Sequence, residues 1–278
     1  MMYGKSIELF LVNGTVDSLT TAELSNWNGK AIKIPRTEVE SCDREDVTAA
    51  GVYFLFCKED DGVDSVYIGE AENVLNRLKQ HMNDYRSGKE KYYWNTCIIF
   101  VGRDLNKALI RYLENRFVEI ARECNRYTVL TKNTYKNTVM KESQIATMEE
   151  FIDNVKILIN TLGYKVLEPT PKATDSTIYL YCKRSGTYAK GFVSNGGFTV
   201  LKGASISNNI TPAYENSNKG YFKLRKKLES DGTIVDGVFE KDYEFNSPSA
   251  ASSVIVGSSS NGTVDWKTDL GVKLKELL

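Results

Sequence analysis

Two runs rich in β-branched and aromatic residues, Gly51 to Cys57 and Ser65 to Ile68, flank the polar link Lys58-Glu59-Asp60-Asp61-Gly62. Such runs joined by a glycine-containing polar connection predict an antiparallel hairpin. Strand alternation then sets the side chains. Val52, Phe54 and Phe56 take one face and Tyr53 the other, and Val66 and Ile68 oppose Tyr67. Two phenols can therefore share one surface. Just past Gly69, the residues Val74, Leu75, Leu78 and Met82 recur at helical spacing. That helix places Arg77 and His81 one turn apart, beside its apolar stripe.

Other patterns extend this unit. Ile7 to Val12 and Ala31 to Ile34 are strand candidates, with Asn13-Gly14 and Asn28-Gly29 as turn signals. Tyr93 to Val101 reads as a third strand of the central unit. Asp104 is an N-cap candidate for a helix running to about Cys124, with Leu105, Leu109, Tyr112, Leu113, Phe117 and Ile120 as its buried stripe. Met148 to Leu162 reads as another helix, stopped by Gly163. The stretch Glu168-Pro169-Thr170-Pro171-Lys172-Ala173-Thr174 reads as an extended linker. Beyond it, Ile178 to Cys182, Tyr188 to Val193, Gly197 to Leu201 and Gly237 to Phe245 read as strands. Tyr221 to Glu229 and Ser249 to Val256 read as helices, and Val264 to Trp266 as a last short strand. The expected organisation is a strand-rich extension over 1–47, a first folded domain over 48–167, a linker over 168–176 and a second α+β domain over 177–278.

Composition narrows the class. A hydrophobic share of 41% and a charged share of 26% are ordinary for a soluble globular chain. Ile7 to Val12 contains a charge and is too short for a signal core or a membrane span, so no membrane association and a cytoplasmic location are expected. The five cysteines are dispersed without a CxxC pair, which argues against a zinc knuckle and for a reducing compartment. Net charge is zero, but it is unevenly distributed. Met1 to Glu70 carries six Lys/Arg against thirteen Asp/Glu, whereas Ala71 to Arg126 carries eleven against seven. A phosphate backbone needs only such a local positive field; a solvated helix surface explains the same count.

Phosphodiester cleavage requires an oriented water, neutralisation of charge at phosphorus and stabilisation of the leaving oxygen. A divalent cation held by one carboxylate serves the last two needs. Arginine matches two phosphate oxygens and stays charged, and a phenol beside a cation can act as base. Each residue alone has an ordinary reading: core tyrosines, a solvated Arg77, a surface His81, and a Glu114 paired with Arg111 or Arg116.

Taken jointly, Gly51-Val52-Tyr53, Tyr67-Ile68-Gly69, Arg77, His81 and Glu114 resemble the GIY-YIG endonuclease family over roughly Ala49 to Asn133. The resemblance implies a small antiparallel sheet flanked by helices. It also implies a Tyr53, Tyr67, Arg77, His81 and Glu114 catalytic site using magnesium or manganese, with Glu114 as metal ligand. DNA is the implied partner, with RNA left open. The family asparagine is Asn125 or Asn133, with Asn133 preferred. Lys79, Asn125, Asn133, Lys223, Arg225, Lys226 and Lys227 are candidate nucleic-acid contacts. The connection between the two triplets is longer than the family usually has, a tolerable hairpin insertion.

The segment Gly191 to Trp266 resembles a C-terminal domain of unknown function that accompanies such modules. Its matching pieces are Leu201-Lys202-Gly203-Ala204, Lys223-Leu224-Arg225, Asp242-Tyr243-Glu244-Phe245, Ser247-Pro248-Ser249-Ala250-Ala251, Asn261-Gly262 and Asp265-Trp266-Lys267. In it, Lys219, Lys223, Arg225, Lys226 and Lys227 cluster beside Tyr221 and Phe222. That mixture suits base stacking with phosphate contacts, or a helix packed by Phe222, Leu224 and Leu228. Alternatives to the nuclease are a non-cleaving nucleic-acid binding module and a protein-interaction adaptor on the same fold.

Overall fold

The computed structural model describes residues 3–58, 64–132, 139–217 and 219–278. The chain divides after Pro169 into two compact units. In the first, the strands are β1 (Ile7–Leu11), β2 (Thr20–Leu24), β3 (Gly29–Pro35), β4 (Gly51–Lys58), β5 (Asp64–Ala71), β6 (Thr96–Gly102) and β7 (Thr128–Val129). The helices are α1 (Val74–Arg86), α2 (Lys107–Cys124) and α3 (Glu142–Thr161). The strands form one sheet in the order β1-β2-β3-β6-β4-β5-β7, antiparallel except where β7 joins β5 in parallel. The family-type sheet is thus extended to seven strands, because β1 to β3 continue it across β6.

Alternation on β4 and β5 splits the interior into two layers. Val52, Phe54, Phe56, Val66 and Ile68 face α2 and α3, packing on Ile110, Leu113, Phe117, Ile152 and Val155. Tyr53, Leu55 and Cys57 face the other way, onto Val74, Leu75, Leu78 and Met82 of α1. A sheet covered on both faces by helices is a stable solution for strands apolar on both sides. Gly51 is required by proximity: a Cβ there would lie 2.6 Å from the Phe100 carbonyl oxygen on β6.

Three local departures from the sequence expectations have physical causes. The strand expected from Tyr93 begins at Thr96, because the preceding aromatics are used elsewhere. The Arg36 guanidinium is buried with Tyr85, Tyr93 and Trp94 at 5.0, 4.6 and 4.6 Å, and the Arg36 N–H donates to the Asn95 carbonyl at 2.9 Å. Cation–π contacts of this kind strengthen as water is excluded. The second helix is capped by Asn106 and not Asp104, its side chain accepting from the Ala108 and Leu109 amides at 3.0 and 3.2 Å. The third helix starts at Glu142, two turns before the apolar stripe shows itself. There the Gln144 side chain accepts from the Lys141 amide at 3.0 Å.

The second unit has its own core. Strands β8 (Leu180–Cys182), β9 (Ala189–Ser194) and β10 (Gly197–Val200) lead to helices α4 (Pro212–Ser217) and α5 (Lys219–Ser230). Then come β11 (Ile234–Val235), β12 (Val238–Phe239), β13 (Tyr243–Phe245), α6 (Pro248–Val256) and α7 (Gly262–Asp265). A four-stranded antiparallel sheet runs β13-β10-β9-β8, and β11 pairs β12 separately. The run expected as one strand over Gly237 to Phe245 is therefore two strands in different sheets. The expected final strand at Val264 to Trp266 is corrected to a helical turn, α7, capped by the Asn261 side chain.

The sequence pieces of this unit interlock. Ser247 caps α6 by accepting from the Ala250 amide at 3.1 Å, and Pro248 occupies its first turn. The buried Trp266 indole N–H donates to the Pro248 carbonyl at 3.0 Å, and its ring packs on Phe198 with centroids 4.3 Å apart. The Gly262 amide donates to Ser249 Oγ at 3.0 Å. A Cβ on Gly262 would come within 2.1 Å of the Pro248 carbonyl carbon and 2.3 Å of the Ser249 nitrogen. Both are backbone atoms, so relief requires moving α6. Gly262→Ala should therefore destabilise the chain by about 2 kcal/mol or more, an overpacking penalty. Thermal melting of the full chain reads it, and an unchanged melting curve would show that α6 and α7 are not rigidly joined.

Candidate functional site

β4 and β5 pair Tyr53 with Gly69 and Leu55 with Tyr67, so the two phenols are diagonal neighbours on one face. Gly69 leaves the space that the Tyr53 ring fills: a Cβ there would sit 2.5 Å from the Tyr53 hydroxyl oxygen. The Tyr53 and Tyr67 rings stack with centroids 6.3 Å apart. Helix α1 packs over this face and brings in Arg77 and His81. Its N-cap, Asn73, accepts from the Asn76 amide at 3.0 Å, which fixes where the helix starts.

The phenols, the guanidinium and the imidazole form one hydrogen-bonded group. Arg77 Nε–H donates to the Tyr53 oxygen at 3.3 Å, and Tyr53 Oη lies 2.9 Å from His81 Nε2. The His81 ring meets Tyr53 and Tyr67 edge-on, at 5.6 and 5.1 Å. His81 is fully buried, contrary to its ordinary reading as a surface residue. Its Nδ1 contacts a Glu90 carboxylate oxygen.

Helix α2 lies against the opposite face of the sheet, yet one polar stripe on it borders the same opening. Lys107, Arg111 and Glu114 follow at i, i+4 and i+7. Lys107 Nζ holds a Glu70 carboxylate oxygen at 2.9 Å, and Arg111 Nε lies 3.8 Å from the other. Glu114 is buried, and among the described residues its Oε2 has no hydrogen-bond partner. The resulting cleft, about 690 Å³, is lined by Tyr53, Tyr67, Glu70, Arg77, Lys107 and Glu114, with Asn73, Asn76 and Gln80 at its α1 wall. It opens beside β5, where β7 covers only Ser65 and Val66.

Burial governs the protonation of this site. It raises the Tyr53 hydroxyl well above its ordinary value, the charge of Tyr67 adds to it, and Arg77 opposes it. Tyr67 is raised in the same way, by burial against the pull of Arg77. Burial works against the Arg77 charge, but the two phenols outweigh it and hold the guanidinium protonated. Glu114 is pushed up to about 7, by burial first and the neighbouring Glu70 second. Arg77 thus eases ionisation of both phenols as expected, but burial outweighs it.

A carboxyl with one bare buried oxygen facing a polar cleft fits a divalent cation that keeps most of its sphere for water and phosphate. Among the described residues no group of three or more His, Cys, Asp or Glu is placed to hold a metal, so Glu114 would be the main protein ligand.

The other sequence candidates are placed differently. Asn125 ends α2 in the left-handed region (φ 50°), its amide donating to the Ala121 carbonyl, a helix-capping role. Lys79 is half-buried on α1 and does not line the cleft. Asn133 lies outside the described residues. Arg225 is corrected outright: it is buried and donates to the Ser207 and Val254 carbonyls at 2.6 and 3.2 Å, so it holds α5 to α6 and is closed to a phosphate. Lys223 and Lys226 are exposed, with Lys226 paired to Glu229 at 2.9 Å, and Lys227 is half-buried. Sequence reasoning missed Glu70, Lys107 and Glu90. The helical spacing of Lys107, Arg111 and Glu114 was a usable signal; Glu90 follows a helix end and had none.

Comparison with known families matches residues 49–128 to the GIY-YIG catalytic domain and residues 180–278 to a domain of unknown function, DUF4357. No curated protein and no solved structure matches the chain.

The Glu114 carboxyl couples stability to pH. In the unfolded chain it ionises near 4.5, and in the metal-free fold near 7. The folded state therefore binds the proton more tightly. The stability this contributes is complete below about pH 4.5 and is lost as pH rises through 7. Glu114→Gln removes the cost of burying the ionised group. In the absence of metal, the variant should exceed wild type by up to about 3 kcal/mol at about pH 8, and the gap should close toward about pH 5. Urea unfolding at the two pH values measures this; a variant weaker than wild type at both would refute it.

Proposed function

From the match of residues 49–128 to the GIY-YIG catalytic domain, we propose that the protein is a divalent-metal-dependent endonuclease that hydrolyses phosphodiester bonds in DNA. The observation that carries this reading is the meeting of Tyr53, Tyr67, Arg77 and Glu114 in one cleft, with His81 directly behind Tyr53.

A scissile phosphate entering the cleft meets the Arg77 guanidinium, which neutralises charge that develops on its oxygens. Magnesium or manganese held by Glu114 supplies further charge neutralisation at the phosphate and the leaving oxygen. Tyr67 orients the phosphate or the attacking water through its hydroxyl. Tyr53 is too buried to rest as a phenolate, so its role is to pass a proton. As the water oxygen bonds to phosphorus and the bond to the leaving oxygen breaks, the water's proton goes to the Tyr53 oxygen. The Tyr53 proton moves at the same time to His81 Nε2. The leaving oxygen takes a proton from solvent. The relay resets when the proton on His81 returns through Tyr53 to water.

The second unit is read as directing substrate choice, with Lys223 and Lys226 exposed on α5. The five free cysteines suit a reducing, cytoplasmic setting, and no helix among the described residues is long and apolar enough to cross a membrane. Binding without cleavage would leave no use for a buried carboxyl with a bare oxygen.

Plasmid and oligonucleotide cleavage with magnesium or manganese tests the reading. Wild type should cut, chelation should stop it, and Glu114→Ala and Arg77→Ala should each lower the rate by about a hundredfold or more. Equal cleavage by wild type and Glu114→Ala would remove the assigned site. Salt-sensitive DNA binding by the wild type, with no cut under either metal, would leave only a binding module.

A further inference from the structure

The segment after α1 is shaped to bring one carboxylate back onto the imidazole. α1 ends at Arg86, and Gly88 adopts a positive φ of 74°. The amides of Lys89 and Glu90 both donate to the Asp84 carbonyl, at 2.9 and 3.2 Å. This turn lays Glu90 against the helix beside His81. Beyond it, Tyr92 stacks on Tyr67 with centroids 5.7 Å apart, and Tyr93 and Trp94 close over Arg36. The loop is therefore held at both ends. The Glu90 side chain is only 15% exposed.

We infer that Glu90 is a positioning residue, which fixes the His81 tautomer so that Nε2 is a bare acceptor aimed at Tyr53. The order of donors and acceptors carries this. Arg77 Nε–H can only donate, so it occupies a lone pair of the Tyr53 oxygen. The Tyr53 proton is then free to point at His81 Nε2, 2.9 Å away. For a neutral imidazole to accept there, its proton must sit on Nδ1, and the group waiting at Nδ1 is the Glu90 carboxylate. The same carboxylate faces the imidazolium that forms when Tyr53 gives up its proton. Without it, the tautomer with hydrogen on Nε2 would present Tyr53 with a donor where an acceptor is needed.

This role rests on the cleavage reading, but its first test does not. His81 is the only histidine in the chain, so the ring nitrogens of untagged, nitrogen-15-labelled protein give one unambiguous pair of signals. In metal-free wild type the pattern should be that of the Nδ1–H form. Glu90→Gln removes the charge that faces the imidazolium and can turn its amide N–H toward Nδ1, so it should lose the pure Nδ1–H pattern and lower kcat. Glu90→Leu should give a mixed or Nε2–H pattern, with kcat lowered by about tenfold or more and KM within about twofold. Thermal melting of each variant controls for folding. A Glu90→Leu protein that is folded and keeps the pure Nδ1–H pattern overturns the inference, whatever the fate of the nuclease reading. So does one that keeps wild-type kcat. A wild type that cuts nothing yet shows the expected tautomers rejects the nuclease reading alone.

Discussion

The site depends on one close approach, that of the Tyr53 ring to the bare Cα of Gly69 across the β4–β5 ladder. Paired strands ordinarily fill facing positions with side chains, and any Cβ at 69 would occupy the place of the Tyr53 hydroxyl. With hydrogen there, the phenol lies flat against the ladder, reaches the edge of the sheet and meets groups delivered by α1. The second glycine, Gly51, serves the other side of β4 by letting the β6 backbone approach at Phe100. The two glycines of the paired triplets are thus packing requirements, Gly69 for the Tyr53 ring and Gly51 for the β6 backbone.

The sheet edge also explains how helices on opposite faces contribute to one cleft. Beyond Val66 the outer side of β5 has no strand partner among the described residues, and the Thr131 hydroxyl satisfies Ile68, accepting from its amide at 2.8 Å and donating to its carbonyl at 2.7 Å. α1 and α2 can then both reach the gap. Along it the charges are sorted. Glu70 is held by Lys107 and Arg111, whereas Glu114, one turn further along α2, is left with an unpaired oxygen. A buried carboxyl is costly unless protonated or paired, so this position costs stability and is the one where the proposed cation would bind.

The central elements were legible because strand alternation and helical stripes are local. Tyr53 and Tyr67 on one face, Val52, Phe54 and Phe56 on the other, and the α1 stripe all follow from period alone. The α2 start was misread by two residues, because Asp104 and Asn106 are both capping types and only packing chooses between them. Arg225 looked like a phosphate contact because it belongs to a basic cluster with Lys219, Lys223, Lys226 and Lys227 beside Tyr221 and Phe222. Sequence shows charge, and only the fold shows that one member of a basic run turns inward to backbone carbonyls. Glu90 was invisible for a different reason. Its position comes from a turn at Gly88 and an aromatic clasp around Arg36, contacts without any period.

The same loss of water raises both proton affinities in the cleft, that of Tyr53 and that of Glu114, yet the consequences differ. For Glu114, on the proposed reading, a divalent cation would offset the cost of its charge. For Tyr53, burial outweighs the pull of the one guanidinium beside it, so the hydroxyl keeps its proton at neutral pH. A phenol that cannot stay ionised can still take a proton if it gives one away in the same motion, and that requires an acceptor already in contact. His81 is that contact, buried so completely that water cannot compete for its Nε2. On the proposed reading, that contact lets Tyr53 relay a proton without resting as a phenolate.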